Sequence, residues 1–383
     1  MRVLLVSSDN NKSSGAFICL VELAKMLQVS YRTYVLVILP KPGDGAELLE
    51  KYNIPYIYIY SFSWVTYRGW SLKSIGKYIF KVFALIYNYN AIKKIKDIIV
   101  REKIDIVHIN TIFSYVGAIA AFETNTKLVW HIRESLKKGF NSKIISESWG
   151  YDLINRSNQI IMVSHMLFDE YEDKLNGDKV SIIHDGVSLD FYQDHTILDN
   201  KIVKIISIGS LISDKNQIEL IEALNILVRK GICNFCCSIV GRGPTEKYLK
   251  YKVKEYHLEN YIRFLGYQNN IKKLLSENDV VCSTSISEAF GRTLVEGMLS
   301  ACIVIGADYI SSAAQEIIIP NETGILYKGG MPSDLANCLK NILNYNNRLY
   351  YRLIGEKAQK IALQAYTDNI NVERIFNVYK MLI

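Results

Sequence analysis

The chain has few prolines, six in 383 residues, and no apolar run near the roughly 18 residues that a bilayer-spanning helix needs. Scarce proline, an apolar share near one half and an ordinary charged fraction exclude long disordered tracts. The N-terminus, MRVLLVSSDN, lacks a small-residue cleavage site after the short apolar run Val3 to Val6, so it reads as a first β-strand and not as an export signal. Low-complexity segments and short-period repeats are also missing, which argues against a solenoid. Together these absences lead to the expectation of a cytoplasmic globular protein, soluble or peripheral at the inner face of a membrane.

Paired cysteine spacing is absent as well. The seven cysteines (Cys19, Cys233, Cys236, Cys237, Cys282, Cys302, Cys338) are odd in number and scattered, as expected of reduced thiols in a cytosolic compartment. Cys233 and Cys236 form a CxxC inside CNFCCSIVG, but no second Cys or His pair stands at zinc spacing. They are expected to be small buried thiols, with no metal held.

What is present is an alternation of short β-rich runs with longer amphipathic stretches, the pattern of βαβ units around parallel sheets. VLLVS (3–7), YVLVIL (34–39), YIYIY (56–60), DIVHIN (105–110), KLVWHI (127–132) and QIIMVS (159–164) come first. After VSIIHDGVSLDFY the series restarts with KIISIG (204–209), CCSIVG (236–241), IRFLG (262–266), DVVCST (279–284), CIVIG (302–306) and GILY (324–327). The length exceeds what one core usually serves. The expected fold is therefore α/β, two Rossmann-like doubly wound parallel-sheet domains facing across a cleft, over residues 1–190 and 191–368. The final helix, about 369–383, is long enough to pack back onto the first domain. Ligands in such sheets bind beyond the carboxyl ends of the strands.

The segment SEAFGRTLVEGM (287–298) follows one such strand. Glu288 and Glu296 are eight residues apart, roughly 80° of rotation and about 12 Å of rise on an ideal helix. Glu288 precedes Gly291 and falls in the strand-to-helix turn, whereas Glu296 lies inside the helix that Gly291 and Arg292 begin. Backbone N–H groups of Phe290, Gly291 and Arg292 would then present a helix N-terminus to phosphate oxygens or sugar hydroxyls, with Gly291 permitting close approach. Two solvated helix glutamates are the plain alternative. In GSLISDKNQIEL (209–220), Lys215 is expected in the first turn of a helix, where a cation opposes the macrodipole and calls for full solvation or a bound anion.

Gly209 with Lys215, GRGP (241–244), EAFG (288–291) and Glu296, in that order, resemble the family 4 retaining glycosyltransferases of the GT-B fold. SGAFICLVELAKML (14–27), with Gly15, is similar to that family's first glycine loop and helix, and SIIHDGVSLDFY to its interdomain linker. In the linker Asp185 and Gly186 stand where Asn-Gly is usual, at a turn expected to need positive φ.

The resemblance implies a nucleotide-sugar donor, no cofactor besides it, and the following roles. Glu296 hydrogen-bonds the donor ribose, Glu288 and His131 face the transferred sugar, and Lys215 neutralises the diphosphate leaving group. Gly209, Ser210, Phe290, Gly291 and Arg292 line the donor site, and Gly266 meets the base through its backbone. A buried structural histidine is the other reading of His131, and His108, on one strand face with Asn110, lines the cleft or packs in the core. No metal is implied, and no Asp-x-Asp is present. One position departs from the pattern: Ser210 stands where an arginine usually supplies the second diphosphate cation. Arg242, Arg292 and Arg133 are the candidates to replace it, and Arg292 is favoured because it starts the helix beside Glu288.

Nine basic residues against two acidic between Arg68 and Lys103 account for the whole net charge of +7. Trp70, Tyr78, Phe80, Phe83, Tyr87 and Tyr89 interleave with the lysines there. Such a stretch suits an anionic membrane surface carrying a lipid-linked acceptor, or else an amphipathic helix packed on a sheet with a solvated basic face. Nucleic acid is not expected, since no recognition motif accompanies the charge. The function expected is transfer of a sugar to a glycan or lipid-linked acceptor in surface polysaccharide biosynthesis. Alternatives are a catalytically silent sugar-nucleotide-binding subunit, which Ser210 favours, and an epimerase or phosphorylase on the same fold.

Overall fold

Aliphatic and β-branched runs form strands close to where the pattern puts them. They are β1 (Arg2–Val6), β2 (Tyr34–Leu39), β3 (Tyr56–Tyr58), β4 (Val65–Tyr67), β5 (Ile106–Ile109), β6 (Lys127–Ile132), β7 (Ser142–Ile144), β8 (Gln159–Met162) and β9 (Val180–Ile182). There follow β10 (Val203–Ile208), β11 (Phe235–Val240), β12 (Ile262–Gly266), β13 (Val280–Ser283), β14 (Ile303–Asp308) and β15 (Ile325–Lys328). The computed structural model describes residues 1–68, 72–194 and 197–383, without the side chains of 72–82 and 85. It divides into two units, one formed by Met1–Gly186 with Asp368–Ile383 and the other by Val187–Thr367.

The first unit holds a parallel sheet in the order β3-β2-β1-β5-β6-β8-β9. Its strands are apolar along their length because helices cover both faces. Leu5, Val37, Ile106 and Val129 meet Leu20 and Leu27 of the helix Gly15–Tyr31 and Ile375 of the helix Asp368–Leu382 in one core. Tyr31 stacks on Phe376 with ring centroids 3.9 Å apart, so the end of the chain is part of this core. The antiparallel pair β4-β7 was not expected, its three-residue runs being too short to show a period, and β9 overlaps the start of the segment read as linker.

Two other expectations need correction. Neither Asp185 nor Gly186 has positive φ. Gly186 is required for space instead, since a Cβ there would lie 2.6 Å from Asp368 Cα and 2.8 Å from Asn371 Cβ. Cys233 is exposed and Cys236 half-buried, because the CxxC begins in the loop before β11 and only Cys237 reaches the core.

The basic stretch forms the helix Leu72–Arg101. Ala84, Asn88, Ala91, Ile92, Ile95, Ile98 and Ile99 are buried at three- and four-residue steps, so one face packs inward. Buried Asn88 fixes the adjoining loop by accepting from Phe62 N at 2.8 Å and donating to Phe62 O at 2.8 Å. Phe83, Ile86, Tyr87 and Tyr89 stay exposed on the other faces. Trp70 and the side chains of Lys73, Lys77, Tyr78, Phe80 and Lys81 lie outside the described residues. Among the described residues no helix is long and apolar enough to cross a membrane.

The second unit holds a parallel sheet in the order β12-β11-β10-β13-β14-β15. Chain order reverses at β10, which has β11 on one side and β13 on the other. That crevice, beyond the carboxyl ends of β10 and β13, is where open α/β sheets bind ligands.

Candidate functional site

Lys215 and Glu288 meet at this crevice, one from the loop after β10 and the other from the loop after β13, and their side chains form an ion pair. Lys215 does not occupy a helix's first turn. It ends a 3-10 turn (Ser213–Lys215), and Asn216, left-handed at φ 50°, separates it from the helix Gln217–Arg229. Its charge is thus met by a carboxylate before any ligand arrives. Two hydrogen bonds clip the loops together: Thr284 Oγ1 donates to Lys215 O at 2.8 Å, and Ile286 N to Asp214 O at 2.8 Å. Glu288 is pinned by its backbone, donating to Ser311 O at 3.0 Å and accepting from Ala313 N at 2.8 Å. The Lys215 side chain stays 26 % exposed and that of Glu288 18 %, so both can be reached from solvent.

The glycines hold neighbouring loops in contact. Gly209 N donates to Val240 O (3.0 Å), Leu211 N to Arg242 O (2.9 Å) and Gly241 N to Gly266 O (2.8 Å), which ties together the loops after β10, β11 and β12. Gly241 has φ 137°, and a Cβ there would collide with the carbonyl oxygen of Gly209. Gly266 is left-handed at φ 65°, and a Cβ on it would lie 3.7 Å from Arg242 Nε. Ser210 is exposed in the same place, its carbonyl accepting from Gln217 Nε2 at 3.1 Å.

Gly291, at φ 98°, begins the helix Arg292–Leu299, whose start has no side-chain cap. Phe290 is buried, its ring centroid 6.0 Å from that of Tyr366. Inside the helix Arg292 Nε lies 3.0 Å from Glu296 Oε1, a pair mostly sheltered from solvent. The two glutamates therefore each hold a cation, Glu288 from a turn and Glu296 from a helix.

The first unit places His131 differently from the other expected site residues: it is fully buried, with Nδ1 3.1 Å from Arg133 Nη2. Burial, Arg133 and His108 hold its pKa well below the ordinary value, so the ring is neutral. His108 is buried beside it with ring centroids 5.3 Å apart, and its Nδ1 lies 2.6 Å from Tyr379 Oη. Burial first, and Arg133 second, push its pKa down to about 3. Gly15 begins the helix Gly15–Tyr31, and a Cβ there would meet nothing within 4 Å.

Three residues of this cluster were missed by sequence reasoning in their actual roles. Arg133 pairs with Asp185 and lies 3.2 Å from Asn110 Oδ1. Glu134 accepts from Ile112 N (3.1 Å) and Arg133 N (3.3 Å). The available signal was Arg-Glu directly after a strand ending in His-Ile. Burial pushes the Glu134 carboxyl up to about 7. A carboxyl whose folded pKa lies above its unfolded one favours folding most below the unfolded pKa and loses that contribution as pH rises through the folded pKa. Between about pH 4 and about pH 8, Glu134→Gln is therefore expected to gain on the wild type by about 3 kcal/mol in unfolding free energy. Urea titrations of both proteins across that range check it, and a difference constant with pH would contradict it.

Two families match the chain: the one described as Glycosyltransferase Family 4 over residues 14–191, and Glycosyl transferases group 1 over residues 191–366. N-acetyl-alpha-D-glucosaminyl L-malate synthase of Bacillus anthracis is 22 % identical over 319 residues, 76 % of this chain and 79 % of that protein. N-acetylgalactosamine-N,N'-diacetylbacillosaminyl-diphospho-undecaprenol 4-alpha-N-acetylgalactosaminyltransferase of Campylobacter jejuni is 28 % identical over 168 residues, 42 % of this chain and 45 % of that protein. HepE of Anabaena, solved with UDP, superposes with a TM-score of 0.80 at 22 % identity over all of both chains. Its structure with UDP-glucose gives 0.78 at 23 % identity over 99 % of each.

Proposed function

The chain belongs to the family 4 glycosyltransferases and has the GT-B fold of two Rossmann-like domains, and from that premise we propose that it transfers a sugar from a UDP-sugar with retention and without a metal ion. The observation that carries this reading is the Lys215–Glu288 pair at the reversal point of the second sheet, with Arg292–Glu296 on the helix that follows. As the bond from anomeric carbon to phosphate oxygen breaks, negative charge grows on the diphosphate, and cations and N–H dipoles already in place stabilise it. Lys215 and the backbone N–H groups at the start of the helix Arg292–Leu299 supply that field. Arg292 adds the charge that Ser210 lacks. Glu296 takes the ribose hydroxyls, and Glu288 faces the sugar. The acceptor hydroxyl attacks on the face the phosphate leaves, and the leaving phosphate oxygen takes its proton, so no enzyme nucleophile is needed.

HepE was solved with UDP and UDP-glucose, which makes UDP-sugars the first donors to try. A thermal-shift series of UDP-, GDP-, ADP- and dTDP-sugars is expected to single out a UDP-sugar, with stabilisation of about 2.7 kcal/mol at a hundredfold excess over Kd. Consumption of that donor by the wild type, and its loss in Glu288→Ala, would complete the case. Donor binding with no turnover in either protein would instead favour the silent subunit, the reading that Ser210 supports.

The acceptor proposed is a glycan or lipid-linked saccharide, the latter by likeness to the Campylobacter relative, whose name includes a diphospho-undecaprenol. The rings of Phe83, Tyr87 and Tyr89 and the side chain of Ile86, exposed on a lysine-rich helix, are suited to enter an anionic interface. Flotation with phosphatidylglycerol vesicles is expected to carry the protein upward at low salt and less so at high salt. Equal recovery with neutral vesicles, or none with anionic ones, would remove membrane docking from the reading.

A further inference from the structure

A buried carboxylate behind the candidate donor site has no part in the reading above. Glu219, in the first turn of the helix Gln217–Arg229, is 2 % exposed. Its Oε2 accepts from Asn216 Nδ2 at 2.7 Å and from Tyr309 Oη at 3.2 Å. Burial raises its pKa, while the Tyr309 hydroxyl and the backbone N–H groups of Gly330 and Met331 favour its charged form.

Each partner leads to one member of the Lys215–Glu288 pair. Asn216 is the left-handed residue directly after Lys215 and closes the 3-10 turn that carries the lysine. Glu219 N also donates to Asn216 O at 3.0 Å, so the turn is closed from both its backbone and its side chain. Tyr309 opens the turn after β14, where Ser312 N donates to Tyr309 O at 2.9 Å. Within this turn Ser311, two residues after Tyr309, accepts the Glu288 N–H at 3.0 Å, and Ala313 donates to Glu288 O at 2.8 Å. Ser311 Oγ further donates to Ile286 O at 2.7 Å. One carboxylate thus fixes the loop carrying the cation and the turn that pins its partner. An apolar side chain would fill the same space with no charge to bury, so packing alone does not account for a glutamate here.

We infer that Glu219 is a positioning residue that holds Lys215 and Glu288 in register through Asn216 and Tyr309; the inference rests on the donor site proposed above. In Glu219→Gln the side chain keeps its size but loses the charge that draws both donors to one oxygen. Displacement of a charged group by a fraction of an ångström to an ångström is expected to lower kcat about tenfold to hundredfold, with donor KM within about threefold and thermal stability little changed. In the Lys215→Ala background the same substitution is expected to lose most of its effect, since one of the groups it positions is gone.

Steady-state kinetics of the full chain with a UDP-sugar test this in four proteins: wild type, Glu219→Gln, Lys215→Ala and the double variant. Wild-type kcat in Glu219→Gln beside a crippled Lys215→Ala would overturn the positioning role and leave the donor site standing. Multiplicative effects in the double variant would overturn it as well. Wild-type kcat in Lys215→Ala would instead mean that the donor reading itself had failed. Tyr309→Phe removes one hydroxyl from a half-buried side chain and carries the same test should Glu219→Gln not fold, with a smaller loss of kcat expected and an unchanged kcat counting against the inference.

Discussion

Lys215→Ala is expected to reduce kcat by about a hundredfold to a thousandfold at saturating donor, the usual loss when one preorganised group that stabilises developing charge is removed. The cation stands 73 residues from Glu288 in sequence yet pairs with it directly, at the carboxyl ends of the two strands where the sheet order reverses. Because Glu288 already balances the lysine in the free protein, the lysine gives more to a transition state whose diphosphate gains further charge than to the ground-state donor complex. The loss is therefore expected mainly in kcat, with KM for the donor rising less. Lys215→Arg is expected to recover only part of it, since a planar guanidinium does not occupy the place of a compact ammonium. Arg292→Ala is expected to cost less than Lys215→Ala, because the Arg292 charge is held at 3.0 Å by Glu296 on its own helix. A kcat within threefold of wild type in Lys215→Ala would show that the diphosphate charge is met elsewhere, with Arg242 beside Gly266 the next residue to test.

How far such a site can be read without coordinates depends on how local its parts are. The separation of Glu288 into a turn and Glu296 into a helix was legible, because Gly291 and the strand before it mark the boundary. The same logic failed at Lys215. DKNQIEL looks like a continuous helix start, and what interrupts it is the left-handed conformation of Asn216, which asparagine tolerates without requiring. The ion pair itself joins two loops and has no periodic signature.

In the first unit, long strands showed their apolar runs, while β4 and β7, at three residues each, were below the length at which a period is visible. Arg133 read as a candidate for the second diphosphate cation and Asp185 as a turn residue. Each reading was reasonable in its own segment, and only the side-chain contact between the residue after β6 and the segment before Gly186 joins them. Glu219 was invisible for the complementary reason: in QIELIEAL a glutamate in the first helical turn looks like a solvated residue that favours the macrodipole, and burial by Tyr309 and the loop at Gly330 comes from far along the chain.

The largest effect on stability is expected from breaking the Arg133–Asp185 pair. The Arg133 side chain is 4 % exposed and that of Asp185 11 %, and the neutral ring of His131 and the amide oxygen of Asn110 lie beside the guanidinium. An arginine does not shed its proton on burial, so Asp185→Ala takes a directly paired carboxylate away from a buried charge and is expected to destabilise the first unit by about 3–5 kcal/mol. Cys19 Sγ, 3.5 Å from Asp185 Oδ2, is too weak a dipole to take the carboxylate's place. Arg133→Met should cost a similar amount for the opposite reason, by leaving the carboxylate unpaired. The double variant Arg133→Met with Asp185→Leu is expected to be more stable than either single one, because two apolar side chains of comparable size ask for no compensation. Denaturant titrations of the three variants give the coupling energy directly. If the single costs simply add in the double variant, the two groups are not acting on one another, and the cluster around His131 is held by packing alone.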